Sequence, residues 1–293
     1  MISYVNGRYV NHAEAAVHIE DRGYQFSDGI YEVIAVFNGK MVDGEPHLKR
    51  LERSLTHLHI PLPMPLESMK CIIRELLRRN RRNEGYVYIQ ISRGVAKRNH
   101  AFPKQVEPSL VITLSVAKHP SYKERYQGVS VITLPDIRWG RRDIKTVSLL
   151  PNVLAKQKAV EAGVKEAWQV NAQGCVTEGA STNSYIVTRD GVVITHPANE
   201  TILEGITRTT VLALAREHGI KVEERPFTLE EAKAAAEAFL TSTTGGVLPI
   251  IQIDDSKIAD GKPGKVSLKL MNLYDDYIRE VCGMCPYADE VTA

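Results

Sequence analysis

Two side chains with the chemistry of a cofactor site lie in the second half of the sequence. Lys145 follows Asp143-Ile144, and Glu178 lies in the run T-E-G-A-S-T-N at 177–183. A lysine amine can hold an aldehyde as a Schiff base, and a carboxylate can set the protonation of an aromatic ring nitrogen, which are two demands of pyridoxal phosphate. Each segment alone has an ordinary interpretation, because Asp-Ile-Lys after a loop is usually a solvated lysine and Thr-Glu-Gly is usually a turn.

Six further motifs accompany these two segments in a fixed order. They are E-D-R-G-Y-Q-F-S-D-G-I-Y-E at 20–32, H-L-K-R-L at 47–51, K-R-N-H-A-F-P at 97–103, H-P-A-N at 196–199, I-L-E-G-I-T-R at 202–208 and T-S-T-T at 241–244. Together the eight motifs resemble those of the D-amino-acid transaminases. That family belongs to the fold type IV group of pyridoxal phosphate enzymes, with the branched-chain aminotransferases and aminodeoxychorismate lyase. The resemblance extends from about Tyr4 to Tyr277, nearly the whole chain.

The resemblance implies a fold and a cofactor. The fold is α+β in two domains, a smaller N-terminal α/β sandwich and a larger C-terminal domain with a pseudo-barrel sheet, and pyridoxal 5′-phosphate lies at the domain interface. Lys145 is then the catalytic Schiff-base lysine, Glu178 is the carboxylate at the pyridine nitrogen, and Leu203 packs on the ring. The phosphate cup consists of Arg50, Ile206, Thr207, Ser242 and Thr243.

For some of these residues the local sequence independently supports a role in binding the cofactor. Others have an ordinary structural role as an alternative. Gly205-Ile206-Thr207 opens a predicted helix, where free amides and the helix dipole favour an anion. Arg50 has the planar fork that suits a phosphate, although at a helical position it is more often a surface charge. Leu203 cannot be told apart from an ordinary core leucine.

The predicted mechanism follows from the charges at the two ends of the cofactor. A carboxylate of Glu178 favours the protonated pyridinium, which withdraws electrons from the α-carbon of the substrate. Lys145, once the substrate amine has displaced it, takes the α-proton and returns it at C4′, provided that the amine is neutral. The product is a 2-oxo acid, and a second 2-oxo acid reverses the sequence.

The resemblance implies that the substrate carboxylate is held by a trap, which distinguishes the D-amino-acid enzymes within their group. By resemblance the trap consists of Tyr31, Arg98 and His100, and it points the α-proton of the D-enantiomer at the lysine. The resemblance also implies a homodimer in which Arg98 and His100 enter the partner's site. A basic solvated loop is the ordinary interpretation of this segment. Glu32 and His47 match residues that link the surroundings of the lysine to the phosphate side.

Composition bounds the alternatives. The chain has 293 residues, 43% of them hydrophobic, and a length of this order predicts two domains. Its net charge of +2 predicts no particular polyanionic partner. We place the boundary near His119–Tyr122, with domains at 1–119 and 120–293. No signal peptide or membrane-spanning run is evident, so we expect a cytoplasmic protein with no membrane partner. The four cysteines are too few for a disulfide framework, and no metal site is predicted.

Two other classes of protein share some of these sequence features. A branched-chain L-amino-acid aminotransferase or an (R)-amine transaminase would keep Lys145 and Glu178 but lack the carboxylate trap. A nucleic-acid-binding module is suggested by four arginines at 78–82, yet they follow a helix pattern whose end favours cations, and no aromatic residues interleave them. The segments Gly140-Arg141-Arg142 and Gly245-Gly246 depart from the family's pattern, which leaves the breadth of substrates open.

The elements that position these motifs are predicted from periodicity. Asn6-Gly7 and Asn38-Gly39 interrupt alternating apolar residues and predict hairpins. Leucines at helical spacing after Pro46, and apolar residues at the same spacing after Pro65, predict two helices over the first sheet. In the second half we predict strands at about 129–134, 166–170, 183–187 and 238–241, and helices at about 148–162, 207–218, 229–237 and 267–281.

Overall fold

The computed structural model of the chain describes residues 1–285 and 287. The chain forms two compact units, the first comprising residues 1–117, 144–148 and 281–284, and the second comprising residues 118–143, 149–280, 285 and 287. The segment that carries Lys145 therefore contacts the first unit, whereas the sequence analysis placed it in the second domain. No helix in the described part of the chain is both long and apolar enough to span a membrane.

The first unit is a six-stranded antiparallel sheet with the strand order β2-β1-β6-β5-β3-β4. Its strands are β1 (Ile2–Val5), β2 (Arg8–Asn11), β3 (Gly29–Phe37), β4 (Lys40–Met41), β5 (Gly85–Ser92) and β6 (Ser109–Ser115), and its helices are α1 (Arg22–Phe26), α2 (Gly44–His57) and α3 (Leu66–Asn80). Both predicted hairpins form, with Asn-Gly turns in the left-handed region.

The core of this unit lies between the sheet and the two long helices. Leu48, Leu51 and Leu55 of α2 share one buried cluster with Met69 and Leu76 of α3 and with apolar residues of the central strands. Their spacing of three and four residues puts them on one face of each helix. The two predicted helices and the layered arrangement are confirmed.

The second unit is built on a nine-stranded mixed sheet with the order β12-β11-β10-β13-β14-β7-β8-β9, and β15 pairs with β14. Its strands are β7 (Val129–Pro135), β8 (Glu166–Val170), β9 (Val176–Gly179), β10 (Asn183–Val187), β11 (Val193–Thr195), β12 (Val222–Glu224), β13 (Glu237–Ser242), β14 (Gly246–Ile253) and β15 (Ser256–Lys257). Its helices are α4 (Tyr122–Tyr126), α5 (Leu150–Glu161), α6 (Ile206–Glu217), α7 (Leu229–Lys233) and α8 (Lys265–Cys282).

This sheet curls back on itself. The hydroxyl of Ser184 on β10 donates to the carbonyl of Thr177 on β9 at 3.3 Å, although four strands separate these two in the sheet order. The predicted pseudo-barrel is therefore confirmed. The curl brings the strand that carries Glu178 beside the strand that begins at Asn183.

Candidate active site

The backbone of Lys145 is bonded to the sheet of the first unit. The amide of Tyr31 donates to the Lys145 carbonyl at 3.0 Å, and Ile30 forms an isolated bridge with Thr146. The Lys145 amide donates to the hydroxyl of Ser54 at 3.4 Å. The side chain is half-buried, and its Nζ lies 4.3 Å from the centroid of the Tyr31 ring. No carboxylate among residues 1–285 and 287 pairs with this amine, so it is available for covalent chemistry.

Next to Tyr31 on β3, Glu32 is the centre of a buried ionic cluster. Arg50 donates to both of its carboxylate oxygens, from Nε at 2.9 Å and from Nη2 at 2.7 Å, and Nδ1 of His47 lies 2.9 Å from Oε1. Burial raises the pKa of Glu32, but the charge of Arg50 and the hydrogen bonds outweigh it and the net direction is downward. The three predicted residues are thus linked to one another, and Arg50 is not a surface charge.

The other two predicted trap residues lie in the loop between β5 and β6. The side chains of Arg98 and His100 are exposed, and both contact the ring of Phe26. Within the described part of a single chain, no hydrogen bond, ion pair or ring contact joins either of them to Tyr31. Among the described residues of one chain, Tyr31 and the loop residues are therefore not linked by any such interaction.

In the second unit, Glu178 on β9 is 5% exposed and well supplied with donors. The amide of Leu203 lies 3.1 Å from each carboxylate oxygen, Nδ2 of Asn183 donates to Oε2 at 3.0 Å, and Nη1 of Arg138 donates to Oε1. Burial raises the pKa of Glu178, and the charge and hydrogen bond of Arg138 oppose that rise only in part. Glu178 and Leu203, which were predicted to bind different parts of the cofactor ring, are thus bonded to each other through the leucine amide.

Arg138 and Asp136 are functional candidates that the sequence analysis missed. Nε of Arg138 donates to Oδ1 of Asp136 at 3.0 Å, and Nη2 donates to Oδ2 at 2.8 Å. The hydroxyl of Thr177 also donates to Oδ2 of Asp136, at 2.8 Å. Burial raises the pKa of Asp136, but the bonds and charge of Arg138 lower it to about 2. The sequence pattern that could have identified them is Asp-x-Arg directly after β7, because functional residues often lie just beyond the ends of strands.

The predicted phosphate ligands of this unit lie at a helix start and in a turn. Ile206 and Thr207 are the first residues of α6, whose N-cap Gly205 has no side chain to bind the free first amides. A Cβ at Gly205 would lie 2.0 Å from Oδ1 of Asn183, so only glycine fits this close approach. Ser242 ends β13 and accepts a hydrogen bond from the Gly245 amide at 3.0 Å, and Thr243 follows in the turn.

These groups fit pyridoxal phosphate. The chain offers an amine suited to an aldehyde at Lys145 and a carboxylate suited to a ring nitrogen at Glu178. It also offers helix amides and hydroxyls suited to a phosphate. The chemistry of these donors is therefore compatible with pyridoxal phosphate.

Two other motifs have ordinary structural roles. Arg78 and Arg79, two of the four arginines at 78–82, form ion pairs with Glu75 on the surface of α3. Cys282 and Cys285 are free buried thiols, and burial raises the pKa of Cys285 to about 11, which disfavours a reactive thiolate.

Comparison with known proteins identifies the family. The model of the amino-transferase class IV family matches residues 29–253. The D-alanine aminotransferase of Staphylococcus epidermidis is 41% identical over 276 residues, covering 94% of this chain and 97% of the relative, and that of Listeria monocytogenes is 39% identical over 286 residues, covering 97% and 98%. The structure of the Escherichia coli branched-chain amino acid aminotransferase has a TM-score of 0.88 at 21% identity, covering 99% of this chain and 97% of that chain, so the fold is shared.

The chain belongs to the class IV aminotransferases. It is accordingly a pyridoxal-phosphate-dependent aminotransferase of fold type IV, and the predictions of fold, enzyme class and cofactor are confirmed.

Proposed function

We propose that the protein is a D-amino-acid transaminase, which exchanges the amino group between D-amino acids of the D-alanine and D-glutamate type and 2-oxo acids such as 2-oxoglutarate and pyruvate. The observation that supports this proposal most strongly is the presence of Tyr31 and Arg98-Asn99-His100, the predicted trap residues. They occur in a chain about 40% identical to relatives named D-alanine aminotransferases. A branched-chain L-amino-acid aminotransferase or an (R)-amine transaminase has no comparable use for this set.

In this proposal the residues predicted from the motifs hold the cofactor. Lys145 provides the amine for the aldehyde, Glu178 the carboxylate at the ring nitrogen, and Leu203 the side chain against the ring. The phosphate is bound by Arg50, Ile206, Thr207, Ser242 and Thr243. When bound, pyridoxal phosphate draws electrons from the α-carbon of the substrate and makes its proton removable.

The chain's own residues then move the proton and orient the substrate. The Lys145 amine, once the substrate amine has taken its place, takes the proton from the α-carbon. Arg138, Asn183 and the Leu203 amide hold the Glu178 carboxylate in a single orientation. Glu32 balances the charge of Arg50 and, beside Tyr31 on β3, couples the position of the phosphate ligand to that of the trap tyrosine.

The trap sets the stereochemistry. A carboxylate fixed on one side by Tyr31, Arg98 and His100 directs the α-proton of a D-amino acid at the lysine, and the L-enantiomer would present another substituent there. Because no hydrogen bond, ion pair or ring contact links Tyr31 to the loop residues within the described part of its own chain, we propose a homodimer in which Arg98 and His100 serve the partner's site. The cytoplasmic location predicted above remains a prediction.

Arg98→Ala tests the proposal. Loss of a charge-assisted ligand is expected to raise KM for D-alanine about 10-fold to 100-fold while kcat falls much less, because the guanidinium binds the carboxylate in the ground state and the transition state alike. Steady-state kinetics with D-alanine and 2-oxoglutarate measure this. Lys104→Ala, an exposed cation of the same loop, is the matched control and should leave KM unchanged. An unaltered KM in Arg98→Ala would remove the loop from the site and reject the proposal.

A further inference from the structure

The ring of Phe26, at the end of α1, contacts both exposed residues of the trap loop. The guanidinium carbon of Arg98 lies 4.5 Å from the ring centroid, and the His100 ring centroid lies 5.4 Å away at an interplanar angle of 55°. The guanidinium carbon of buried Arg22 lies 4.7 Å from the centroid of the same ring. One half-buried phenylalanine is therefore the shared platform of three cationic or aromatic side chains.

The backbone of the loop is fixed to the same helix. Arg22 donates to the carbonyl of Asn99 at 2.5 Å and to that of His100 at 3.4 Å, and its Nε is bonded to Asp28 at 2.7 Å. The Asn99 side chain accepts from the Ala101 amide at 3.0 Å, which closes a local turn. The loop that presents Arg98 and His100 is thus tied to α1 through both its backbone and its side chains.

Helix α1 is itself held firmly against β5. Its N-cap Asp21 accepts from the Gly23 amide at 2.8 Å and from the Ser92 hydroxyl at 2.9 Å. A Cβ at Gly23 would lie 2.8 Å from that of Ser92, so the glycine allows this close contact. The platform under Arg98 and His100 therefore has little freedom to move.

We propose that Phe26 is a positioning residue of the carboxylate trap, which holds Arg98 and His100 in the orientation that receives the substrate. This rests on the proposed function. An aromatic face attracts the flat face of a guanidinium and leaves the N–H groups at its edge free, whereas a carboxylate neighbour would occupy them. No carboxylate pairs with Arg98 in the described part of the chain. The ring also restricts rotamers of a long exposed side chain, which otherwise lose entropy when substrate binds.

The test is Phe26→Leu, which keeps an apolar side chain and removes the aromatic face. KM for D-alanine is expected to rise about fivefold to tenfold, with kcat and the thermal midpoint near those of the wild type. Phe26→Tyr keeps the face and should retain the wild-type KM. If Phe26→Leu does not fold, Phe26→Met replaces it, with the same expectation.

A double-mutant cycle separates positioning from a general structural role. In the Arg98→Ala/His100→Ala background, Phe26→Leu should change KM by less than about twofold, because the residues that it positions are gone. An unchanged KM in Phe26→Leu, or an equal rise in the background that lacks both residues, overturns the assignment of Phe26. If Arg98→Ala itself leaves KM unchanged, the proposed function fails instead, so the two failures are distinguishable.

Discussion

Lys145→Ala is expected to leave a protein that binds pyridoxal phosphate but no longer holds it covalently. Borohydride should fix no cofactor to the variant, and transamination should fall by at least about 10⁴-fold, because the variant lacks both the attachment point and the base. Binding should persist in part, since the phosphate and ring ligands lie on other residues.

Peptide mapping makes this prediction specific to one lysine. In the reduced wild-type protein, trypsin cannot cut after a modified Lys145, so the peptide 143–156 should appear uncut and heavier by the mass of the reduced cofactor. Lys158→Ala, which removes an exposed lysine paired with Glu161, is the control and should behave as the wild type. Covalent fixation in Lys145→Ala would show that another lysine carries the cofactor.

Glu178→Lys has the second largest expected effect. Replacing the carboxylate by a cation removes the charge that favours a protonated ring nitrogen, and we expect α-proton removal from D-alanine to slow by about 10²-fold to 10³-fold. Stopped-flow absorbance of the half-reaction measures the rate, and α-deuterated D-alanine identifies the proton-transfer step by its isotope effect.

A companion variant guards against loss of folding, because a lysine at this buried position would face Arg138. Glu178→Gln keeps the shape and an oxygen for the Leu203 amide, and Arg138 retains its bonds to Asp136. It should also slow proton removal strongly. Glu223→Gln, at an exposed position, is the control. A near wild-type rate in folded Glu178→Gln would reject the role of the carboxylate at the ring.

Local signals were sufficient for much of the fold. The Asn-Gly turns predicted the hairpins, and the leucines at helical spacing predicted α2. Both patterns are reliable because turn chemistry and an apolar stripe depend on residues close together in sequence. Strand β14 was missed, since Pro249 lies within it and lacks the amide that a central strand uses. Pro249 pairs with Phe239 of β13, and a bulge on the other side of β14 follows at Ile250 and Gln252.

Candidate site residues could be named from the sequence where they lie in motifs, whereas contacts between distant parts of the chain could not be predicted. Lys145, Glu178 and the loop residue Arg98 stand in ordered motifs, and the family that those motifs indicated is the family found. Arg138 is bonded to Glu178, and Arg22 to Asn99, across long stretches of chain that no local pattern reports. The attachment of Lys145 to β3 of the first unit likewise depends on a nonlocal backbone bond.

The most direct test of the proposed function is the absorbance spectrum of the purified holoenzyme, recorded before and after separate additions of D-alanine, L-leucine and (R)-1-phenylethylamine. We expect the visible band of the lysine-bound cofactor to bleach with D-alanine alone, because only that compound offers both a carboxylate for the trap and the matching α-proton. A response to L-leucine or to the amine, with none to D-alanine, would contradict the proposal and assign the protein to another branch of the class IV aminotransferases.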